Sequence, residues 1–229
     1  MKKIGMLVAV EIDSVLSKYG KPTTTINQSG YNVLIYENPD YTYYVLNSGI
    51  GEIFAAAGTQ FLITHLNVDM ILNFGLVGGT TKEMARTSLC VVEKVVHYDY
   101  DLSAWNKSSV GKYLEYDTIY IPTTPDLVQK ALEFKPDLHK VICASGDKFV
   151  DAGEKKSALY TNYKAEICDM ESAAITLTCN KNNVPCLLIK AVSDSLMESA
   201  EEFNQALENI SAICFDVADK IIKDLIKRS

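Results

Sequence analysis

With 229 residues, 48% of them apolar and 22% charged, the chain can bury one sizeable α/β core as a single domain over residues 1–229. Its net charge of −7, with no clustered Lys and Arg before the closing Lys227-Arg228 pair, argues against a nucleic-acid partner. No apolar run reaches the roughly 18–20 residues that cross a bilayer, so no membrane partner is expected and the chain reads as cytoplasmic.

Residues 4–10 form an apolar run that ends in acids and lacks a small-residue cleavage site, so they read as a buried first strand and not as a leader. Glu11 follows at the strand's carboxyl end. Position alone favours a solvated residue that opens the next helix beside Asp13 and Ser14. The alternative is a carboxylate placed where α/β sheets gather ligands. Strands are expected over 33–36 and 43–46, then a helix over 53–66. A strand over 70–74 runs into Asn73-Phe74-Gly75-Leu76-Val77-Gly78-Gly79-Thr80. Glycine there serves a turn or lets the backbone approach a ligand closely. The spacing fits neither GxGxxG nor GxxxxGK[ST], so the nucleotide-phosphate fingerprints do not apply.

A strand over 89–96 precedes residues 98–124, a polar, aromatic stretch too long for a plain connection and therefore a functional loop or an interface element. A helix over 125–133 and a strand over 140–144 lead into Ser145-Gly146-Asp147-Lys148-Phe149-Val150. Phe149 there either stacks on a flat base or plugs the core. Asp169-Met170-Glu171 opens a helix over 171–181. Glu171 either answers the helix dipole or accepts hydrogen bonds from vicinal ribose hydroxyls. A strand over 186–192 ends in Ser193-Asp194, an acid that caps a helix or takes part in proton transfer. The last helix, over 201–227, begins after acids and ends in Lys-Arg, as its dipole favours. Strands alternating with helices in this order predict a three-layer α/β/α sandwich around a central mixed, twisted sheet.

The six cysteines sit in apolar segments without CxxC spacing and read as buried small hydrophobes in a reducing compartment. The three histidines lie far apart in sequence. No metal site and no cofactor is expected.

No single motif above is specific, but their order is. Glu11, Ser48-Gly49-Ile50-Gly51, Gly75-x-x-Gly78-Gly79, Ser145-Gly146-Asp147-x-Phe149, Asp169-Met170-Glu171 and Ala191-Val192-Ser193-Asp194 together resemble the purine nucleoside/uridine phosphorylase superfamily. Within it the set is most similar to the 5'-methylthioadenosine/S-adenosylhomocysteine nucleosidases, over roughly residues 3–226. The resemblance implies hydrolysis of a purine nucleoside's N-glycosidic bond by a homodimer, with water as co-substrate. It makes Glu11 the base that activates water and Asp194, helped by Ser193, the acid at purine N7. Glu171 would hold the ribose hydroxyls, with Met170 beneath the sugar and Gly78 in the glycine segment that lines the site. Phe149 would stack on the base while the backbone of Val150 reads its edge. Ile50 and Phe203 would line the 5' pocket, and Trp105 would come from the dimer partner. For Asp194 to donate near neutral pH, burial or a close carboxylate would have to lift its pKa above about 3.9.

The chain departs from the family pattern in four places. Phe74, Leu76 and Val77 add bulk around the glycines, Lys190 stands where arginine is usual, and Asp169 stands where glutamate is usual. The fourth is the arginine content: Arg86 and Arg228 are the only two in the chain. Bidentate arginines suit a phosphate nucleophile, so their scarcity favours water. A phosphate-dependent phosphorylase and a non-catalytic nucleoside binder are the competing readings.

Overall fold

In the computed structural model, residues 1–151, 153–196 and 200–228 are described; within the last segment, the side chains of 200–206 and 208 lie outside that description. The strands are β1 (Lys2–Val8), β2 (Thr24–Gln28), β3 (Tyr31–Glu37), β4 (Tyr41–Asn47), β5 (Met70–Gly79), β6 (Leu89–His97), β7 (Ile121–Pro122), β8 (His139–Ser145), β9 (Ile167–Asp169) and β10 (Cys186–Asp194). The helices are α1 (Ile12–Tyr19), α2 (Glu52–Leu66), α3 (Ser103–Asn106), α4 (Pro125–Phe134), α5 (Glu154–Tyr163), α6 (Ser172–Asn182) and α7 (Ala200–Lys227).

All ten strands join one mixed sheet. β5 is its hub: it pairs parallel with β1 on one side and with β10 on the other, and its last two residues pair antiparallel with β9. From β1 the sheet continues through β4 and β3 to β2; from β9 it runs through β8 and β6 back to β10, so that half closes on itself. Side-chain alternation splits each central strand between two cores. Leu72, Phe74 and Leu76 of β5, with Leu187, Ile189 and Ala191 of β10, pack toward α1, α4 and α7. Ile71 and Val77, with Cys186, Leu188 and Val192, pack toward α2 and α6.

α7 buries Ile210, Cys214, Phe215, Ala218, Ile221 and Ile222, a stripe at helical spacing. Phe215 stacks on Phe74 at 4.7 Å. Fully burying a side chain of this size contributes about 1.5–3 kcal/mol, so the face anchors the helix. All six cysteines are free and buried, as expected of small hydrophobes.

The expected α/β sandwich is present, with differences at its edges. β1 stops at Val8, two residues before the expected end, because the chain turns at Ala9-Val10 to aim Glu11 inward. β5 runs through to Gly79, so the glycine segment is strand and not turn. Helices α1, α3 and α5 and strands β2, β7 and β9 add to the expected set.

Candidate active site

Because β1, β5 and β10 are parallel neighbours, their carboxyl ends share one rim, where ligands gather in such sheets. A cavity of about 310 Å³ opens there. Its wall comprises Ala9, Val10 and Glu11 after β1, Ile50 before α2, residues 76–78 of β5, residues 148–150 after β8, residues 168–171 from β9 into α6, and Asp194 closing β10.

Glu11 occupies the N-cap position of α1 yet makes no side-chain cap. The Val10 N–H donates to its Oε2 at 3.0 Å and the Leu76 N–H donates to its Oε1 at 3.0 Å. The side chain is 5% exposed, which overturns the reading of Glu11 as a solvated helix opener. Gly75 makes this placement possible, since a Cβ there would lie 2.9 Å from Glu11 Oε1. The role of this glycine is close approach, with no left-handed backbone involved.

Asp194 is 3% exposed and closes β10. A register shift between Val192 and Asp194 re-aims the strand end, as a bulge does. The Ser193 hydroxyl donates to Asp194 Oδ1 at 2.5 Å, and the Lys156 ammonium donates to Oδ2 at 2.6 Å. Of the two causes expected to act on Asp194, burial or a close carboxylate, burial is present, and the charged group bonded to it is a cation. Gly78 passes close by, where a Cβ would meet Cys168 Sγ at 3.1 Å and Asp194 Oδ2 at 3.4 Å.

Below the cavity lies a buried polar network. Glu171 Oε1 accepts the Gly51 N–H at 2.9 Å, and burial reinforced by nearby Asp169 pushes its pKa up to about 7, against the pull of Lys190. Asp169 caps α6 by accepting the Ser172 N–H at 3.2 Å and the Ser172 hydroxyl at 2.5 Å. Lys190 Nζ lies 2.8 Å from Asp169 Oδ2, both side chains being buried. Burial works against both charges, but each overcomes it through the other: Asp169 is held below the ordinary carboxylate range and Lys190 above the ordinary amine range. Asp169 and Lys190 thus form one unit, a short acid matched to a lysine. Glu52 opens α2 nearby, accepting the Ser145 hydroxyl at 2.6 Å and the Ala174 N–H at 2.5 Å. Burial pushes Glu52 up to about 8, against the Ser145 hydrogen bond.

Of the residues singled out from sequence, Glu11, Ile50, Gly78, Phe149, Val150, Met170, Glu171 and Asp194 all line the one cavity. Phe149 is 49% exposed at its lip and does not plug the core. Ser193 stands behind Asp194 and off the wall, its hydroxyl also reaching the Val77 carbonyl at 3.2 Å. Trp105 is 73% exposed on α3 and is not part of this chain's cavity wall. The side chain of Phe203 lies outside the described residues. Of the bulky trio, Phe74 faces the core, while Leu76 and Val77 line the cavity. Sequence reasoning missed Lys156 and Glu52. A charged residue inside a polar helix, or in a helix's first turn, carries no sign of burial when only local pattern is read. Among the described residues, no group of three or more His, Cys, Asp or Glu is placed to hold a metal ion.

Comparison with known proteins accords with this geometry. The profile of the Phosphorylase superfamily matches residues 3–226. The aminodeoxyfutalosine nucleosidase of Helicobacter pylori (strain ATCC 700392 / 26695) is 29% identical, the match covering 99% of this chain and 98% of that protein. The 5'-methylthioadenosine/S-adenosylhomocysteine nucleosidase of Buchnera aphidicola subsp. Baizongia pistaciae (strain Bp) is 29% identical, covering 97% and 92%. The crystal structure of the 5'-methylthioadenosine/S-adenosylhomocysteine nucleosidase from Helicobacter pylori with butyl-thio-DADMe-Immucillin-A matches with a TM-score of 0.91 at 28% identity, covering 98% and 99%. The chain belongs to the phosphorylase superfamily. Within it, the chain is an enzyme of the nucleosidase type.

Proposed function

We propose that the protein hydrolyses the N-glycosidic bond of a purine nucleoside, 5'-methylthioadenosine or S-adenosylhomocysteine, releasing adenine and the thioribose. One observation carries this reading: Glu11 and Asp194 reach the same cavity from the two strands that flank β5. Cleavage passes through an oxocarbenium-like sugar, so carboxylates near the ring are useful and a protonated base leaves more readily. In this reading Glu11 orients and deprotonates water at C1', and Asp194 serves purine N7. Glu171 accepts the ribose hydroxyls over Met170, Phe149 stacks on the base, and the backbone of Val150 meets its edge. Ile50 and Phe203 bound the 5' group.

Water as the nucleophile is supported by the wall itself, which includes no arginine among the described residues. Exposed Ile50, Ile53 and Phe54 beside the mouth support a homodimer in which the partner's Trp105 closes the 5' end. Action in the cytoplasm is part of the same reading. The Helicobacter relative's name motivates a second substrate reading, aminodeoxyfutalosine.

The test is to supply 5'-methylthioadenosine, S-adenosylhomocysteine, aminodeoxyfutalosine, adenosine and inosine, with and without phosphate, and follow free base. Adenine release that is indifferent to phosphate is the expected result. Sugar 1-phosphate formed only with phosphate would make the protein a phosphorylase, and binding without turnover would make it a nucleoside binder.

A further inference from the structure

Lys156 plays no part in the roles above, yet its side chain is fully buried on α5, a helix whose other long side chains mostly face water. Its Nζ donates to Asp194 Oδ2 at 2.6 Å, to the Ser195 carbonyl at 2.7 Å and to the Asp194 carbonyl at 3.4 Å. An ammonium has three protons, and each has an acceptor at the end of β10. Burying such a cation is costly unless it is paired, so the contact is specific and not incidental. Among the described residues, the other ionisable groups facing the pair are Cys168 from β9, which has Asp169 beside it, and Asp151 ahead of α5. Burial pushes the Cys168 thiol up to about 12, so it stays protonated. Asp169 is committed to Lys190, and exposed Asp151 is paired with Lys155 at 2.9 Å.

We propose that Lys156 and Asp194 act as one unit holding a single shared proton for the leaving base, with Lys156 the positioning residue that retains that proton above neutral pH. The proposal rests on the hydrolytic reading above. As the C1'–N9 bond breaks, its electron pair passes to the purine and the shared proton moves from Asp194 Oδ2 to N7. That leaves Lys156 as a neutral amine beside the Asp194 carboxylate. The oxygen of water bonds to C1', and the proton it releases goes to Glu11. After the products leave, Glu11 returns its proton to solvent and the pair takes one back, so the cycle consumes one water.

The experiment compares kcat with 5'-methylthioadenosine from pH 5 to 10 for the wild type, Lys156→Met and Lys156→Arg. Taking the wild-type to variant ratio at each pH cancels any limb that both proteins share, including that of Glu171. For Lys156→Met the ratio should be small near pH 5.5 and climb by up to about tenfold per pH unit above neutrality, because a lone Asp194 must draw its proton from solvent. Lys156→Arg keeps the charge but not a readily transferable proton, so its ratio should climb with pH as well, Asp194 again having to draw its proton from solvent. A Lys156→Met ratio that is flat across the range means a merely structural residue and overturns the proposal. A Lys156→Arg ratio that stays near one across the range also overturns it, since charge alone would then suffice. Should Lys156→Met not fold, the wild-type profile decides: kcat sustained through pH 9 supports the shared proton, and a fall centred near neutrality overturns it. A wild type that binds nucleosides without turnover defeats the hydrolytic reading first and the proposal with it, which separates the two failures.

Discussion

Lys190 and Asp169 form a buried ion pair, 2.8 Å between Nζ and Oδ2, directly beneath the cavity that Glu11 and Asp194 share. Asp169 also caps α6, so the pair ties the central strand β10 to the helix that begins at Ser172. Removing one partner of such a pair leaves an uncompensated buried charge, which typically costs about 3–5 kcal/mol. Lys190→Met should lower stability by that order in urea unfolding, and Lys190→Met with Asp169→Asn should recover part of the loss. A single variant as stable as the wild type would contradict this account.

Gly75 gives a separate test, because the atom in its way is the end of a side chain and not backbone. The added methyl of Gly75→Ala would meet Glu11 Oε1 at 2.9 Å. The carboxylate can swing aside, so the fold should survive with its melting temperature little changed. Displacing a reacting group by about 1 Å can cost about 10²-fold in rate, and kcat should fall by that order with little effect on KM. Unchanged kcat would show that Glu11 does not need its present position.

Glu171, raised to about 7 by burial and by Asp169, sets a pH dependence on binding. Its carboxylate accepts hydroxyl protons best when ionised, so KM should fall as pH rises from about 6 to 8. Glu171→Gln should weaken binding and flatten that dependence. A KM with the same pH trend in the variant would assign the titration elsewhere.

Glu52 makes a prediction about stability alone. Its pKa in the folded protein, about 8, lies above the unfolded value, so the unfolded chain releases its proton first as pH rises. Stability is thus lost progressively between about pH 4.5 and 8, on the order of a few kcal/mol. Glu52→Gln holds no titrating proton, so its stability relative to the wild type should rise across that window. Denaturant melts at pH 5 and pH 8.5 would read it, and a constant difference would contradict the shift.

What the sequence disclosed, and what it hid, follows from the range over which each signal acts. The long apolar strands β5, β6 and β10 announce themselves because both faces are buried, and α7 does so through its apolar stripe. β9 is only three residues long, too short for any period to register. The glycine segment left a turn and a close approach both open, because glycine's local uses include each. In the fold Gly75 and Gly78 make room for Glu11, Lys156 and Asp194, contacts that span tens of residues of sequence. Lys156 was illegible for the same reason: its partner lies 38 positions away. Glu11 and Asp194 looked like ordinary acids in isolation, and only their fixed order with Phe149, Glu171 and the glycines marked them as a pair.

The most direct test of the central claim is adenine release from 5'-methylthioadenosine in phosphate-free buffer by the wild type, Glu11→Gln and Asp194→Asn, each checked for folding. The account predicts turnover by the wild type and a loss of about 10²–10⁴-fold in each variant. Wild-type rates in both variants would contradict it.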